Sequence, residues 1–314
     1  MSNAKHLELL RSGVEKWNAW QRKHSSVRPD FREADLRGLT LVRADLRRAK
    51  LSRANLRQVN LSHANLNKAD LRGANLLGAG MMFTELEGAD LRGACLRKAV
   101  LVRARLRGAN LSGADLSIAN IGPADLSRTN LRGADLHGAR LSLGTSLQGA
   151  NLAGANLSNA NLANADLTGG DLSGCRVYGV AAWRLKLNQH TRQKNLIITR
   201  HNEPEITVDN IEIAQFVDLL LHNDKIRDAI DTIGKKGVLL LGRFSGKRMI
   251  VLERLRDELR RRDLLPIVFN FAKPPSKNFT ETVRLLAGMS HFVIADITRP
   301  KSTPLELQAT VPNV

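Results

Sequence analysis

Every fifth residue is apolar through most of the first half of this chain, and that period fits neither regular backbone. The series runs Phe31, Leu36, Leu41, Leu46, Leu51 and onward unbroken to Leu141, with Met81 and Ile121 the only other departures from leucine. The frame then slips by one residue, resumes at Leu147 and runs through Leu172 to Val177, giving thirty pentapeptides in all. Two residues before the leucine stands mostly alanine, as at Ala34, Ala44, Ala49 and Ala165, and between the two lies mostly Asp or Asn. A helix repeats its faces every 3.6 residues and a strand every 2, so five serves neither. A stacked coil does serve it. Small and large apolar groups point inward every five residues, and each coil buries itself against its neighbours.

Units such as Ala-Asp-Leu-Arg-Gly at 69–73 and 89–93 carry the resemblance to the pentapeptide-repeat family, whose pattern is A(D/N)LXX, and the match covers residues 29–180. The resemblance implies a right-handed quadrilateral β-helix with four pentapeptides in each 20-residue coil, or about 7.5 coils. At roughly 4.8 Å per coil the rod is about 36 Å long. An interior of leucine and alanine accounts for an aromatic content of only 4%. Cys175 falls in an inward alanine slot and Cys95 in an Asp/Asn slot, four coils or about 19 Å apart, too far for a disulfide.

Residues 1–28 place Leu7, Leu10, Val14 and Trp17 at helical spacing. The open end of a β-solenoid exposes unpaired backbone, so an amphipathic capping helix carrying Trp17 and Trp20 is expected here, in preference to a membrane-surface helix.

The formal net charge is +18 and unevenly spread. Residues 29–107 hold 16 basic against 8 acidic groups, whereas 108–180 hold 4 against 5. Folding the sequence every 20 residues stacks Arg32, Arg72, Arg92 and Arg132 in one column, with Ser52 and Ser112 between them, and Arg37, Arg57 and Arg97 in the next. Another column reads Val42, Ser62, Met82, Val102, Gly122, Ser142, flanked by Phe83. The rod is thus expected to have a cationic side, which could track phosphates, and a more apolar side suited to a protein partner or a second subunit. Some pentapeptide-repeat proteins protect DNA gyrase by imitating DNA; that needs an acidic surface, and the basic balance disfavours it here. No run of 18 apolar residues predicts a membrane span, and the first ten residues lack a secretory apolar run. Two cysteines cannot build a disulfide scaffold or a four-cysteine zinc site. A cytoplasmic location and no metal or cofactor are expected.

After the repeat, residues 181–236 read as a connecting strand (195–200) and two helices, capped by Asp209 and Asn223. Residues 237–314 read as βαβαβ with a parallel sheet: strands at 237–244, 265–271 and 290–297, helices at 247–262 and 280–289. A third strand so near the end looks C-terminally incomplete, and the natural chain is expected to extend beyond Val314. The order is similar to TIR-like and nucleoside-deoxyribosyltransferase-like flavodoxin-type domains, on strand order, Asp296 ending the third strand and the Glu306-Leu307 pair after it. That resemblance implies a glutamate acting on the sugar of an N-glycosidic bond, so Glu306 and Asp296 are the catalytic candidates. Arg243, Phe244, Gly246, Lys247 and Asn270 are the candidate ligand contacts, gathered beyond the strands' carboxyl ends and before a helix N-terminus. The Gly242–Arg248 segment is one residue short of a P-loop and has Arg248 where that motif needs Ser or Thr.

The leading expectation is a rigid scaffold for protein–protein interaction, by a protein partner or self-association, with a C-terminal module that binds a partner or nucleotide. The alternatives are a TIR-like effector hydrolysing NAD or a nucleotide, and nucleic-acid binding through the arginine faces.

Overall fold

The computed structural model describes residues 3–142, 144–242, 244, 246–270 and 286–295. They form two compact units, 1–219 and 220–314. The first unit opens with two short helices, α1 (Ala4–Arg11) and α2 (Val14–Lys23). The single helix expected there is broken at Ser12 and Gly13, because Gly13 takes φ 125°, open only to a residue without a side chain. The break folds α2 back so that Leu10 and Trp17 are both buried against Phe31 and the first coil. Backbone groups that the coil leaves open find partners in these helices. Trp17 Nε1 donates to the Asp45 carbonyl at 2.8 Å, Asn18 bonds the Arg43 carbonyl and the Asp45 amide, and the Asn3 amide donates to the Asp30 carbonyl.

From Asp30 onward each coil pairs in parallel with the next at a spacing of twenty residues: Asp30↔Lys50↔Asp70↔Asp90 on one side, Asp35↔Asn55↔Asn75↔Cys95 on another. The leucine amide donates one coil on, as Leu51 does to the Asp70 carbonyl at 2.7 Å, and the Asp70 amide donates back to the Ala49 carbonyl. Each corner turns through a residue in the left-handed region, Gly73 at φ 62° or Arg48 at φ 58°. Leucine and alanine fill the interior, nearly all of them wholly buried. The one-residue slip in the sequence is a real insertion, since pairing lengthens from twenty to twenty-one residues at Asp125↔Ser146. Gly122 belongs to that site, because a Cβ there would stand 2.2 Å from the Ser142 carbonyl oxygen.

Coiling does not end at residue 180. The ladder continues through Asn161↔Ala181, Asp166↔Lys186 and Asp171↔Arg192 to Arg176↔Ile197. Residues 181–197, expected as connector, thus add most of a further coil, for about eight coils and roughly 40 Å of rod. A short antiparallel pair, β1 (Leu196–Ile197) and β2 (Thr207–Val208), follows. Helix α3 (Ile211–His222) then adds Ile211 and Ala214 to the solenoid core, and Gln215 Oε1 accepts from the Ala182 amide at 2.6 Å. The cap of α3 is Asn210, whose Oδ1 accepts from Glu212 and Ile213; Asp209, expected in that role, instead accepts from the Asn195 amide. Asn223 caps α4 (Asp224–Lys236) by accepting from Ile226, as expected.

In the second unit β3 (Gly237–Gly242) lies between β4 (Leu265–Asn270) and β5 (Phe292–Ala295), all parallel. Helix α5 (Lys247–Arg261) connects β3 to β4. Strand β3 is buried throughout: Val238 and Leu240 pack with Leu252 and Leu259, Leu239 and Leu241 with Leu286. No helix among the described residues is long and apolar enough to cross a membrane.

Candidate functional site

The pentapeptide coil makes surface columns out of sequence positions, and three surfaces follow from it. On the first, the residue after each inward leucine forms the Val42, Ser62, Met82, Val102 column, and the next residue forms Arg43, His63, Phe83, Arg103. Met82 and Phe83 are exposed, while Val42 and Val102 are half-buried. His63 stacks on Phe83 at 4.7 Å with planes 6° apart, and the Arg103 guanidinium lies 5.6 Å from the same ring on the next coil. The stack fixes the ring at little entropic cost and leaves its edge outward, with an open recess bounded by Glu85, Arg105 and Pro123 beside it. Counting through the insertion carries the column on to Ala163 and Trp183, whose indole is 58% exposed. The sequence reading missed Trp183 by stopping at residue 180. The signal was available, since one extra residue moves Trp183 into the Val42 column.

On the second surface the expected arginine columns are present, and part of their charge is paired. Asp and Arg flank the inward leucine on the same side, so each Asp-Leu-Arg unit closes its own ion pair: Asp30–Arg32, Asp35–Arg37, Asp45–Arg47, Asp70–Arg72 and Asp90–Arg92, all at 2.7–2.8 Å. The guanidinium bonds hold the carboxyls low, Asp35 at about 2 and Asp30, Asp70 and Asp90 below the usual range, with burial opposing. Of the four arginines expected to form an interaction column, Arg32, Arg72 and Arg92 are paired in this way. Arg132 donates its backbone amide to Asn130. The cationic side is therefore neutralised only in part: the Asp-Leu-Arg arginines are paired within their own units, whereas Arg57 and Arg97 of the second column make no ion pair among the described residues.

The third surface is the carboxyl end of the sheet. Gly242 and Asn270 are register partners at the ends of β3 and β4, and Gly246 precedes the first turn of α5, beginning at Lys247. Phe244 is buried with Val238, Leu240 and Leu252 and lines an apolar recess of about 400 Å³ with Arg248 and Ile294. Arg243, Asp296 and Glu306 lie outside the described residues. Among the described residues no group of His, Cys, Asp and Glu could hold a metal. Cys175 is buried in the solenoid with its thiol pushed up to about 12 by desolvation, which makes it a packing residue and a poor nucleophile.

The sequence profile described as pentapeptide repeats matches this chain in eight copies, over residues 30–67, 40–78, 84–122, 119–143 and 144–180. Among solved structures the chain is similar to the pentapeptide repeat protein Rfr23 from the cyanobacterium Cyanothece, 42% identical over 29% of this chain and 62% of that one, TM-score 0.29. The chain thus spans less than two thirds of Rfr23. It is similar to HetL, involved in heterocyst differentiation regulation in the cyanobacterium Nostoc, 28% identical over 58% of this chain and 96% of that one, TM-score 0.29. It is also similar to QnrB1, a plasmid-mediated fluoroquinolone resistance protein, 26% identical over 52% of this chain and 79% of that one, TM-score 0.29. No curated protein matches the chain significantly. The repeat profile, the unbroken five-residue period and the parallel ladder from Asp30 to Ile197 agree on one assignment: the chain belongs to the pentapeptide-repeat family, whose repeats imply a right-handed quadrilateral β-helix.

Proposed function

We propose that this protein is an interaction scaffold whose solenoid holds a protein partner on the face carrying Met82, Phe83 and Trp183. The observation that supports this reading is the His63–Phe83–Arg103 stack: an exposed aromatic, braced on both sides and flanked by a recess, on a backbone hydrogen-bonded to the next coil. Aromatic and arginine side chains held rigidly at a surface are the usual anchors of protein interfaces. Photo-crosslinking residues placed at Met82 and Trp183 in the full chain, in its native cells, test it. Discrete protein adducts at both positions, absent for a crosslinker at Arg97 on another face, are expected. Equal adducts at all three, or none, would reject the face.

For the second unit the reading is a module that binds a partner or nucleotide beyond the carboxyl ends of β3 and β4. It is favoured by the adjacent Gly242 and Asn270 ends, next to a glycine turn that opens α5. A TIR-like glycosidic activity would release free base from NAD or nucleotides and lose it in Glu306→Gln. Chromatography of the incubated full chain decides between binding alone and turnover.

A further inference from the structure

In the column that opens with Asp30-Phe31-Arg32, the pairing of acid with arginine is interrupted at the second coil, and there the interruption is a charge reversal. Where coils before and after read Asp30-Phe31-Arg32 and Asp70-Leu71-Arg72, the coil between reads Lys50-Leu51-Ser52. A cation replaces the acid and a short hydroxyl replaces the arginine. Two consequences follow together. The missing arginine leaves a recess of about 670 Å³ over Ser52, between Arg32 and Arg72. The missing acid leaves Lys50 to face it together with the corner residues Arg48 and Lys68 of successive coils and with Arg28, twenty residues before Arg48. None of these four makes an ion pair among the described residues, whereas Arg32 and Arg72 are held by Asp30 and Asp70. Six of the eight lining residues are cationic and one, Asp70, is acidic.

Like charges held in a concave site repel one another until an anion enters, and the recess walls focus their field on it. We propose that this recess binds a compact polyanion of the oligophosphate class, such as inorganic triphosphate or the phosphate tail of a nucleotide. The recess volume is that of a small-molecule site. Its cationic run is short, since Arg28 and Lys68 are two coils or about 10 Å apart. Beyond Lys68 the same corner column reads Gly88 and Gly108, and the neighbouring slots become Asn110 and Ser112. A long nucleic-acid backbone would find no continued track of charge, while a compact ligand needs none. This assignment is independent of the apolar face and goes beyond the proposed scaffold role.

The test is calorimetric titration of the full chain with inorganic triphosphate at low salt. One-to-one binding is expected, weakened about tenfold or more by Lys50→Asp, since an attractive contact becomes a repulsive one. Adding Ser52→Arg to Lys50→Asp, which restores the Asp–Arg pair of the flanking coils and fills the recess, should abolish it. Both substitutions install residues already borne by neighbouring coils, and an unchanged melting temperature verifies the fold. Arg97→Asp, on a different column, removes the same net charge as Lys50→Asp and should leave binding within about twofold. Equal losses in Lys50→Asp and Arg97→Asp would reduce the effect to bulk charge and overturn the site. So would no heat of binding up to millimolar triphosphate. Duplex DNA binding tighter than triphosphate, with affinity rising with duplex length, would replace the compact ligand with a nucleic-acid track.

Discussion

The two units bury leucine by opposite strategies. In the solenoid each coil repeats one local solution, so Leu36 through Leu172 lose essentially all exposure against residues twenty positions away in the chain. In the α/β unit a single strand, β3, supplies both layers of core, and its partners β4 and β5 are long-range neighbours gathered once. Helix α5 meanwhile leaves Ile250 and Val251 59% and 66% exposed. A repeated core specifies itself coil by coil and is insulated from the rest of the chain. A single-copy core depends on every remote element that closes it. Stability in the first case is a sum over nearest neighbours; in the second it is one cooperative total.

The largest effect is expected inside the repeat. Leu96→Asp puts a carboxylate at a wholly buried position between Leu76 and Leu116 and should cost about 5 kcal/mol or more. Urea unfolding followed by circular dichroism reads this directly, and a cost under about 2 kcal/mol would mean that coils open locally to admit the charge. Trp17→Ala should cost about 3–5 kcal/mol, because it removes a fully buried indole and orphans the Asp45 carbonyl. Its damage should stay at one end: amide protection is lost in residues 30–50 and kept beyond Leu91. Leu240→Ala should cost about 2–4 kcal/mol and move only the transition of the second unit. If calorimetry shows both transitions shifting together, the two units are one cooperative block and the contrast fails.

What could be read in the sequence follows the same division. The solenoid was legible because Leu and Ala recur at fixed positions, and the slip after Leu141 correctly located the insertion that changes pairing at Asp125↔Ser146. The last coil was not legible. The inward slots there are filled by Ala182, Leu187, Gln193 and Ile198, and a second extra residue falls between Lys186 and Arg192. Gln193 is no defect, since its Oε1 accepts from the Ile211 amide where α3 closes the end. The arginine columns were legible as columns, but not the pairing of Arg32, Arg72 and Arg92 with the aspartate two residues before each. Asp-Leu-Arg puts acid and base on the same side of the coil with the leucine between them turned inward, as the two-residue alternation of an extended backbone does. In the α/β unit, continuous apolar runs gave the strands, because β3 is covered on both faces. The cap of α3 falls on Asn210, one residue after the expected Asp209, because either residue type can cap and Asp209 is taken by the Asn195 amide.

The smallest effect separates the end of the rod from its middle by pH. His6 sits among Trp17, Trp20 and Phe31, and its Nδ1 accepts from the Asp30 amide, so the ring must be neutral to make that bond. Burial lowers its pKa below 6.5, with the nearby Asp30 carboxylate opposing. The unfolded chain therefore binds the proton more readily than the folded one. The contribution of His6 is full above pH 6.5 and declines as pH falls through the lowered folded value. The ladder faces behave otherwise. In the middle coils the Arg92 guanidinium holds Asp90 below its ordinary 3.8, so its pairing is full above about pH 4 and is lost only as pH falls further. Protection factors of α1 and α2 amides should thus begin to fall below pH 6.5, while those of Leu91–Leu111 stay level until pH drops below about 4. In His6→Phe the first decline should vanish and the second remain. If the α1 and α2 amides of His6→Phe still lose protection between pH 6.5 and 5, the proton acts elsewhere and His6 is only a packing residue.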